Sequence, residues 1–211
     1  VRLGVVPVGG GETVWLDLGE PAPEYIVRVA WTPDAQRVLV VTLDRAQRHL
    51  RLHACPRDGS PGTVVHEEKD PAWIAAPPAP RWVNERQFLW RRQTDCTRWY
   101  LATLAPGAAE VAMEPITPAG IDAGNLLHYD PKSGHGFFTG IVHGAVAGGI
   151  YEVGAKGPAV RAPFADAADA WPTARMDDSG AFALVSVSNA VTPTRTRLVR
   201  VPDGEVLRTI G

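Results

Sequence analysis

The sequence predicts an all-β protein made of β-propeller blades, each of them a sheet of four antiparallel strands. Three observations support this fold class. First, 21 glycines and 19 prolines are spread through 211 residues, and prolines at this density interrupt helices repeatedly. Second, the short Val, Leu, Trp and Phe runs between them have the length and composition of strands bounded by turns. Third, two separate markers recur about every 48 residues, which is the length of a four-stranded blade.

The first marker is a polar turn with Asp or Asn that leads into an apolar strand. Its anchor hydrophobes recur every 45 to 50 residues, at Val38, Phe88, Phe137 and Phe182. The second marker is a glycine turn that ends the following strand, at Gly59, Gly107, Gly157 and Gly204. One more strand precedes each polar turn and one follows each glycine turn, which makes four strands per period. A single blade has two apolar faces, so neighbouring blades must stack to cover them.

These strands divide the chain into a half blade and four blades, over residues 1–20, 21–69, 70–117, 118–163 and 164–211. The half blade is a hairpin of Val1–Val8 and Glu12–Leu18. Its Gly9–Gly11 turn precedes a strand, so it is not a phosphate-binding loop. The first strand of the second blade is expected over Ile74–Trp82, with prolines interrupting it. We expect an incomplete, truncated propeller of about four and a half blades; the alternative is an autonomous small propeller closed by the half blade.

Charge and cysteine content exclude several functional classes. The 21 Lys and Arg and 23 Asp and Glu give a net charge of −2, which disfavours binding to a nucleic-acid backbone. No apolar run approaches the ~20 residues of a membrane helix, so no membrane partner is expected. For Cys55 and Cys96, two free thiols are favoured over a single bridge. The excess of Arg, Ala, Pro and Gly is typical of a bacterial gene, and no signal segment decides between periplasm and cytoplasm.

Several motifs occur along the chain in an order found in one known family. Tyr25–Trp31 resembles a Tyr-hydrophobic-x-x-Val-x-Trp strand, and Leu43–Arg48 resembles Leu-Asn-Arg-x-Gln-Asn. Further matches are Val1–Val6 with Thr13–Asp17, Trp73–Ile74, Arg81–Val83, Phe88–Arg91, Trp99–Leu101, Phe137–Gly140, Ile150–Val153 and Val191–Pro193. As an ordered set over about residues 1–210, they resemble the second half of the N-terminal β-propeller of the dipeptidyl peptidase IV group, in the prolyl oligopeptidase clan.

The resemblance implies an eight-bladed propeller ahead of an α/β-hydrolase domain. The parent protein would release N-terminal dipeptides, such as Xaa-Pro, by serine acyl transfer. The implied partners are the C-terminal hydrolase domain and a peptide substrate, and no cofactor is implied. Three departures from the family pattern indicate a divergent branch: Arg48 replaces Asn, Gln93–Cys96 replaces Glu-Arg-Asp-Gly, and Thr117–Asn125 lacks Trp-Glu.

No catalytic residue is expected in this chain. Enzymes of the family carry the nucleophile in Gly-x-Ser-x-Gly, and no serine here has those neighbours. The five serines are Ser60, Ser133, Ser179, Ser186 and Ser188. The glutamate pair that binds the amino terminus of the substrate is implied to lie before Val1. The sequence therefore predicts a non-catalytic wall of the substrate-access chamber. The alternatives are a propeller interaction scaffold without hydrolase activity and a small propeller lectin or lyase.

Five residues are candidates for lining that chamber. Trp73, Arg81 and Trp82 flank a proline-rich stretch, near a loop that the resemblance implies helps to form the substrate pocket. An aromatic ring and a guanidinium suit apolar contact and a hydrogen bond to a peptide carbonyl. Arg45 and Gln47 follow a strand and are candidates to face the central channel. The alternative for every one of the five is packing within or between blades.

No metal site is predicted. The spacing of three histidines in one blade matches no zinc pattern, and turn or strand-end positions are expected for His128, His135 and His143. Four aspartates lack the regular ligand spacing of a calcium loop and are expected in solvated loops: Asp166, Asp169, Asp177 and Asp178. An incomplete ring leaves blade faces and strand edges open, so self-association through those faces is also expected.

Overall fold

The computed structural model describes residues 1–142, 145, 147–154, 159–162, 171–201 and 203–210, and all their regular secondary structure is β-strand. The strands are β1 Gly4–Val5, β2 Val14–Trp15, β3 Tyr25–Trp31, β4 Arg37–Leu43, β5 His49–Pro56, β6 Thr63–Lys69, β7 Arg81–Trp82, β8 Gln87–Gln93, β9 Thr97–Thr103, β10 Ala112–Pro115, β11 Ile121–Asp130, β12 His135–Val142, β13 Gly149–Val153, β14 Val160–Arg161, β15 Thr173–Met176, β16 Phe182–Val187, β17 Arg195–Arg200 and β18 Val206–Ile210.

Consecutive strands are neighbours in every sheet. β1 pairs with β2, and four sheets of four strands follow: β3–β6, β7–β10, β11–β14 and β15–β18. This arrangement confirms the predicted all-β class and is that of propeller blades. Within the described residues, no helix has the length and hydropathy needed to cross a membrane. The chain forms two compact units, one of Val1–Gln93 and Tyr100–Glu114 and the other of Thr94–Trp99 and Pro115–Gly211.

In the first unit, the β3–β6 sheet is covered on both faces. Successive side chains of a strand point to opposite faces, and β4 is buried over nearly its whole length. Val38 clusters with Leu16 of the N-terminal hairpin on one side. Leu39 joins a larger core with Phe88 and Trp90 of β8 on the other. The hydrophobic run of β4 therefore lacks polar alternation because both of its faces are buried.

In the second unit, the β11–β14 and β15–β18 sheets share an apolar core. Phe137 and Ile150 of the first of these sheets cluster with Ala183 of the second. β16 alternates between buried and exposed positions at its start, and Phe182 and Leu184 on its other face are exposed. Within the described residues, the β15–β18 sheet therefore buries one face and leaves the face of Phe182 and Leu184 exposed.

The polar turn that marks each repeat uses the same chemistry in all four sheets. Between the first and second strands, a side-chain oxygen accepts backbone N–H groups two to five residues further along; the acceptors are Asp34, Asn84, Asp130 and Asp177. The three aspartates also accept a hydroxyl hydrogen, from Thr32, Ser133 and Ser179 respectively. These hydroxyl bonds are the main reason that the pKa of each of the three aspartates lies below its ordinary value.

The glycine at the second marker is required by the backbone conformation of the turn. Gly59, Gly107 and Gly204 have φ angles of 84°, 70° and 71°, where a residue with a Cβ is strained. A glycine is therefore needed at each of these turns between the third and fourth strands. Gly157, the remaining member of the series, lies outside the described residues.

The prediction of a strand over Ile74–Trp82 is wrong for most of this range, because β7 covers only Arg81–Trp82. The Pro77–Pro80 stretch contains three prolines, which have no N–H to donate to a neighbouring strand. Ile74 is nevertheless buried, and its N–H donates to the carbonyl of Gln47 at 2.6 Å. This segment is thus fixed by packing and loop contacts and not by a sheet.

The prediction of two free thiols is confirmed, since Cys55 and Cys96 are both free and buried. Burial, with a smaller contribution from the charge of Asp17, raises the pKa of Cys55 to about 12. The Cys55 thiol is therefore protonated at neutral pH and acts as a small apolar side chain in the cluster beneath the N-terminal hairpin.

Candidate functional site

The loop between β4 and β5 carries two of the predicted lining residues, Arg45 and Gln47. Asp44 Oδ1 accepts the backbone N–H groups of Arg48 at 2.7 Å and His49 at 2.9 Å. The bond from His49 is the main cause of a lowered pKa at Asp44. Gln47 has a φ of 53°, uncommon for a residue other than glycine, and its N–H donates to the carbonyl of Asp44 at 3.1 Å. The loop is a fixed turn as a result.

Gln47 and Trp73 meet although they are 26 residues apart. The indole N–H of Trp73 donates to Gln47 Oε1 at 2.9 Å. Asp70 Oδ1 accepts the backbone N–H groups of Ala72 at 2.7 Å and Trp73 at 3.1 Å. The ring is thereby held at its nitrogen and at its backbone, yet 52% of Trp73 is exposed. A large aromatic side chain that is both fixed and exposed is well suited to contact a ligand.

Arg45 lies in the same loop. The carboxylate of Glu24 accepts its backbone N–H, while its side chain is exposed. Among the described residues, the guanidinium of Arg45 makes no hydrogen bond or ion pair. The structure therefore brings Arg45, Gln47 and Trp73 to one end of the β3–β6 sheet, the end at which β3 begins.

Arg81 and Trp82 lie at the other end of that sheet. The indole N–H of Trp82 donates to the carbonyl of Trp31, the last residue of β3, at 2.7 Å. The Trp82 ring meets Phe88 edge-on, with 5.1 Å between ring centroids. Trp82 thus holds β7 against β3 and β8, and the structure does not bring this pair together with the other three predicted residues.

A cavity of about 280 Å³ in the second unit was not predicted from the sequence. Its lining includes Asp122, Asn125, Gly148, Trp171 and Thr173. These residues come from the beginnings of two strands and from a hairpin, so no local spacing connects them. The available signal was a Trp-Pro pair directly before a strand, together with a Gly-Gly pair about 20 residues earlier.

A comparison with models of protein families shows which family this chain belongs to. The family model for the dipeptidyl peptidase IV (DPP IV) N-terminal region matches residues 1–194. The chain belongs to the DPP IV N-terminal region family. The resemblance carried by the ordered sequence motifs is thereby confirmed.

A solved structure from Bacteroides ovatus, of a candidate dipeptidyl aminopeptidase IV, has the same fold as this DPP IV N-terminal region chain. The TM-score is 0.79 at 16% sequence identity. The match covers 100% of this chain and 32% of the other, so the chain spans about a third of the length of that protein. At this level of identity the likeness shows the fold alone.

Serine hydroxyls have structural partners in this DPP IV N-terminal region chain. Ser133 and Ser179 donate to the aspartates of their polar turns, and Ser186 shares a hydrogen bond with Thr196. In the part of the chain that the structure describes, Ser133 Oγ accepts the backbone N–H of His135, but no serine hydroxyl is hydrogen-bonded to a histidine ring. The described residues therefore contain no serine activated by a histidine base.

Three of the residues considered as metal ligands have other contacts. His135 Nε2 lies 2.7 Å from Glu152 Oε1, the ring of His128 lies against Gly180, and Asp177 holds its polar turn. No three His, Cys, Asp or Glu side chains within the described ranges are grouped so that they could hold a metal ion. Three of the residues considered lie outside those ranges: His143, Asp166 and Asp169.

Proposed function

We propose that this chain forms part of the wall of the substrate-access chamber of a DPP IV-like serine peptidase and carries no catalytic group itself. The observation that carries the proposal is the family match over residues 1–194, in a chain whose five serines all lie outside a Gly-x-Ser-x-Gly motif. The chemistry would then belong to another domain, and this chain would control which peptides reach it.

In this proposal each four-stranded sheet is one blade, with bounds at 21–69, 70–117, 118–163 and 164–211, and residues 1–20 supply a half blade. The partner is a C-terminal α/β-hydrolase domain of the same protein. The Bacteroides ovatus structure supports a larger parent, because this chain covers only 32% of it. The substrate is a peptide that loses its N-terminal dipeptide.

Arg45, Gln47 and Trp73 are the proposed contacts with that peptide. The half-exposed indole offers an apolar surface, and Gln47 fixes its orientation through the 2.9 Å hydrogen bond. The Arg45 guanidinium is exposed and available to donate to a peptide carbonyl. Arg81 and Trp82 are proposed to line the chamber at the other end of the same sheet.

The reading frame around this segment and the activity of its product test the proposal. We expect a Gly-x-Ser-x-Gly hydrolase in the same frame, and release of Xaa-Pro dipeptides from a chromogenic anilide by the longer protein but not by residues 1–211. A frame without a hydrolase would contradict the proposal and favour the interaction scaffold. Dipeptide release by residues 1–211 alone would contradict the non-catalytic assignment.

Trp73→Ala in the longer protein tests the proposed contact site. We expect KM for a decapeptide to rise about tenfold with kcat little changed, because an apolar contact made before the chemical step is lost. Trp15→Ala is the matched control: Trp15 is 50% exposed but lies in the N-terminal hairpin, outside the residues proposed to line the chamber. Equal changes in KM for the two variants would contradict a specific role of Trp73.

A further inference from the structure

The cavity of the second unit lies at one end of the β11–β14 sheet. Ile121 at the start of β11 pairs with Val142 at the end of β12, and Gly140 pairs with Gly149 at the start of β13. Trp171 and the beginning of β15 complete this lining. The cavity therefore sits beside strand ends and loops, where ligand contacts commonly occur on a rigid scaffold.

Trp171 supplies the large apolar surface of the cavity. Its backbone N–H donates to the carbonyl of Ser188 at 3.1 Å. A Cβ added to Gly148 would lie 3.1 Å from Cε3 and 3.2 Å from Cζ3 of the Trp171 ring, so glycine allows the indole to lie against the backbone. The residue is still 54% exposed. A supported but open indole in a concave site is a binding surface for an apolar ring or aliphatic group.

Asp122 and Asn125 supply the polar groups. Asp122 Oδ1 accepts the backbone N–H of Thr97 at 2.9 Å. The backbone N–H of Asn125 donates to Thr139 Oγ1 at 2.8 Å, which fixes the backbone while the side chain is exposed. Among the described residues, the Asn125 side-chain amide has no hydrogen-bond partner. A carboxamide offers a donor and an acceptor together, the same pair that a peptide group presents.

The charge of the lining disfavours an anionic ligand. None of the described lining residues is Lys, Arg or His, and Asp122 is the charged residue among them. A phosphate or carboxylate would meet repulsion there without a compensating cation. A neutral or weakly cationic ligand with an apolar ring and amide groups fits the lining better.

We propose that this cavity binds a short extended peptide segment, with a proline or other apolar side chain against Trp171 and a backbone amide paired with Asn125. The choice of a peptide rests on the proposed function, since a chamber wall meets peptides. The site shares no residue with the loop of Arg45 and Gln47, and all its lining residues belong to the second unit. It would give the chain a preference for peptides that carry an apolar residue at one position.

Fluorine NMR of the 5-fluorotryptophan-labelled chain tests this site. The Trp171 resonance is identified by its loss in Trp171→Phe, and the probe is the neutral tripeptide acetyl-Ala-Pro-Ala-amide. We expect a saturable shift of the Trp171 resonance, and a dissociation constant about tenfold weaker in Asn125→Ala, whose exposed side chain contributes little to folding. Trp15 is the internal control, because it is 50% exposed and lies beneath the Arg2 guanidinium instead of in this cavity.

Three results would overturn the inference: no shift at Trp171, an equal shift at Trp15, or the same shift with a neutral oligosaccharide such as cellotriose, which would make this a sugar site. An unchanged affinity of Asn125→Ala for the tripeptide would rule out the proposed pairing of Asn125 with the peptide backbone. The measurement needs no hydrolase. Peptide binding here with no hydrolase in the reading frame would support the cavity assignment and contradict the proposed function. A hydrolase in the frame without peptide binding at Trp171 would support the proposed function and contradict the cavity assignment.

Discussion

His53 is a buried titratable residue whose charge state links stability to pH. It is 3% exposed, and its Nε2 lies 3.0 Å from the hydroxyl of Thr42. Burial, aided by the charge of Arg51, lowers the pKa of His53 to about 4. The unfolded chain takes up this proton near pH 6.5. Stability from a neutral His53 is therefore complete above pH 6.5 and is lost as pH falls towards 4, by about 3 kcal/mol at most.

Urea unfolding at several pH values between 7.5 and 4 measures this effect. The wild-type chain should lose stability through that window, and His53→Gln should show a flatter dependence whatever its stability at pH 7.5. The polar-turn aspartates have pKa values below the ordinary value, so the stability that they contribute is lost mainly below this pH window. They are present in both proteins and do not alter the comparison. Identical slopes for the two proteins would show that His53 does not control this window.

Glu68 connects two elements, the last strand of the β3–β6 sheet and β8 of the next sheet. Its carboxylate is 6% exposed and accepts the Trp90 indole N–H at 2.9 Å, with His66 Nε2 at 3.1 Å and Arg92 Nε at 3.8 Å. Glu68→Ala leaves the buried Trp90 indole N–H without its acceptor and removes the carboxylate that forms an ion pair with Arg92. We expect a loss of about 3–5 kcal/mol in the free energy of unfolding.

The neighbouring Glu67 is the matched control for that prediction. It is 42% exposed and forms its shortest ion pair with Arg51, at 2.9 Å. Exposed pairs contribute little, so Glu67→Ala should change the free energy of unfolding by less than about 1 kcal/mol. Urea midpoints of both variants give the comparison. Similar losses would mean that Glu68 acts as a surface charge and does not join the two sheets.

The strands of the repeats could be predicted because their signals are local. Asp34 and Gly59 each act within a few residues, through an oxygen that caps the turn and a backbone with positive φ. The contact of Gln47 with Trp73 could not be predicted, since it exists only after β5 and β6 return the chain to the same sheet end. The cavity beside Trp171 was missed for the same reason: its residues come from separate strand ends.

At the scale of the whole molecule, the period of about 48 residues predicted the architecture because every blade repeats one pattern of apolar positions. The third residue of the second strand shows it most directly. Leu39, Leu89 and Phe137 occupy this position in the first three sheets and are 0%, 1% and 3% exposed. Leu184 occupies it in β16 and is 41% exposed. The β15–β18 sheet therefore presents a face of the kind that is buried elsewhere in the chain.

That face should make the isolated chain self-associate, because exposed apolar sheet surface is covered when two copies meet. Leu184→Lys should lower the association constant about tenfold or more, since it places a charge in the contact. Val191→Lys is the matched control, as Val191 is 88% exposed but lies in a turn outside the strands. Sedimentation velocity over a hundredfold concentration range measures the effect. A monomer at every concentration, or equal weakening by the two substitutions, would show that the Leu184 face does not mediate association.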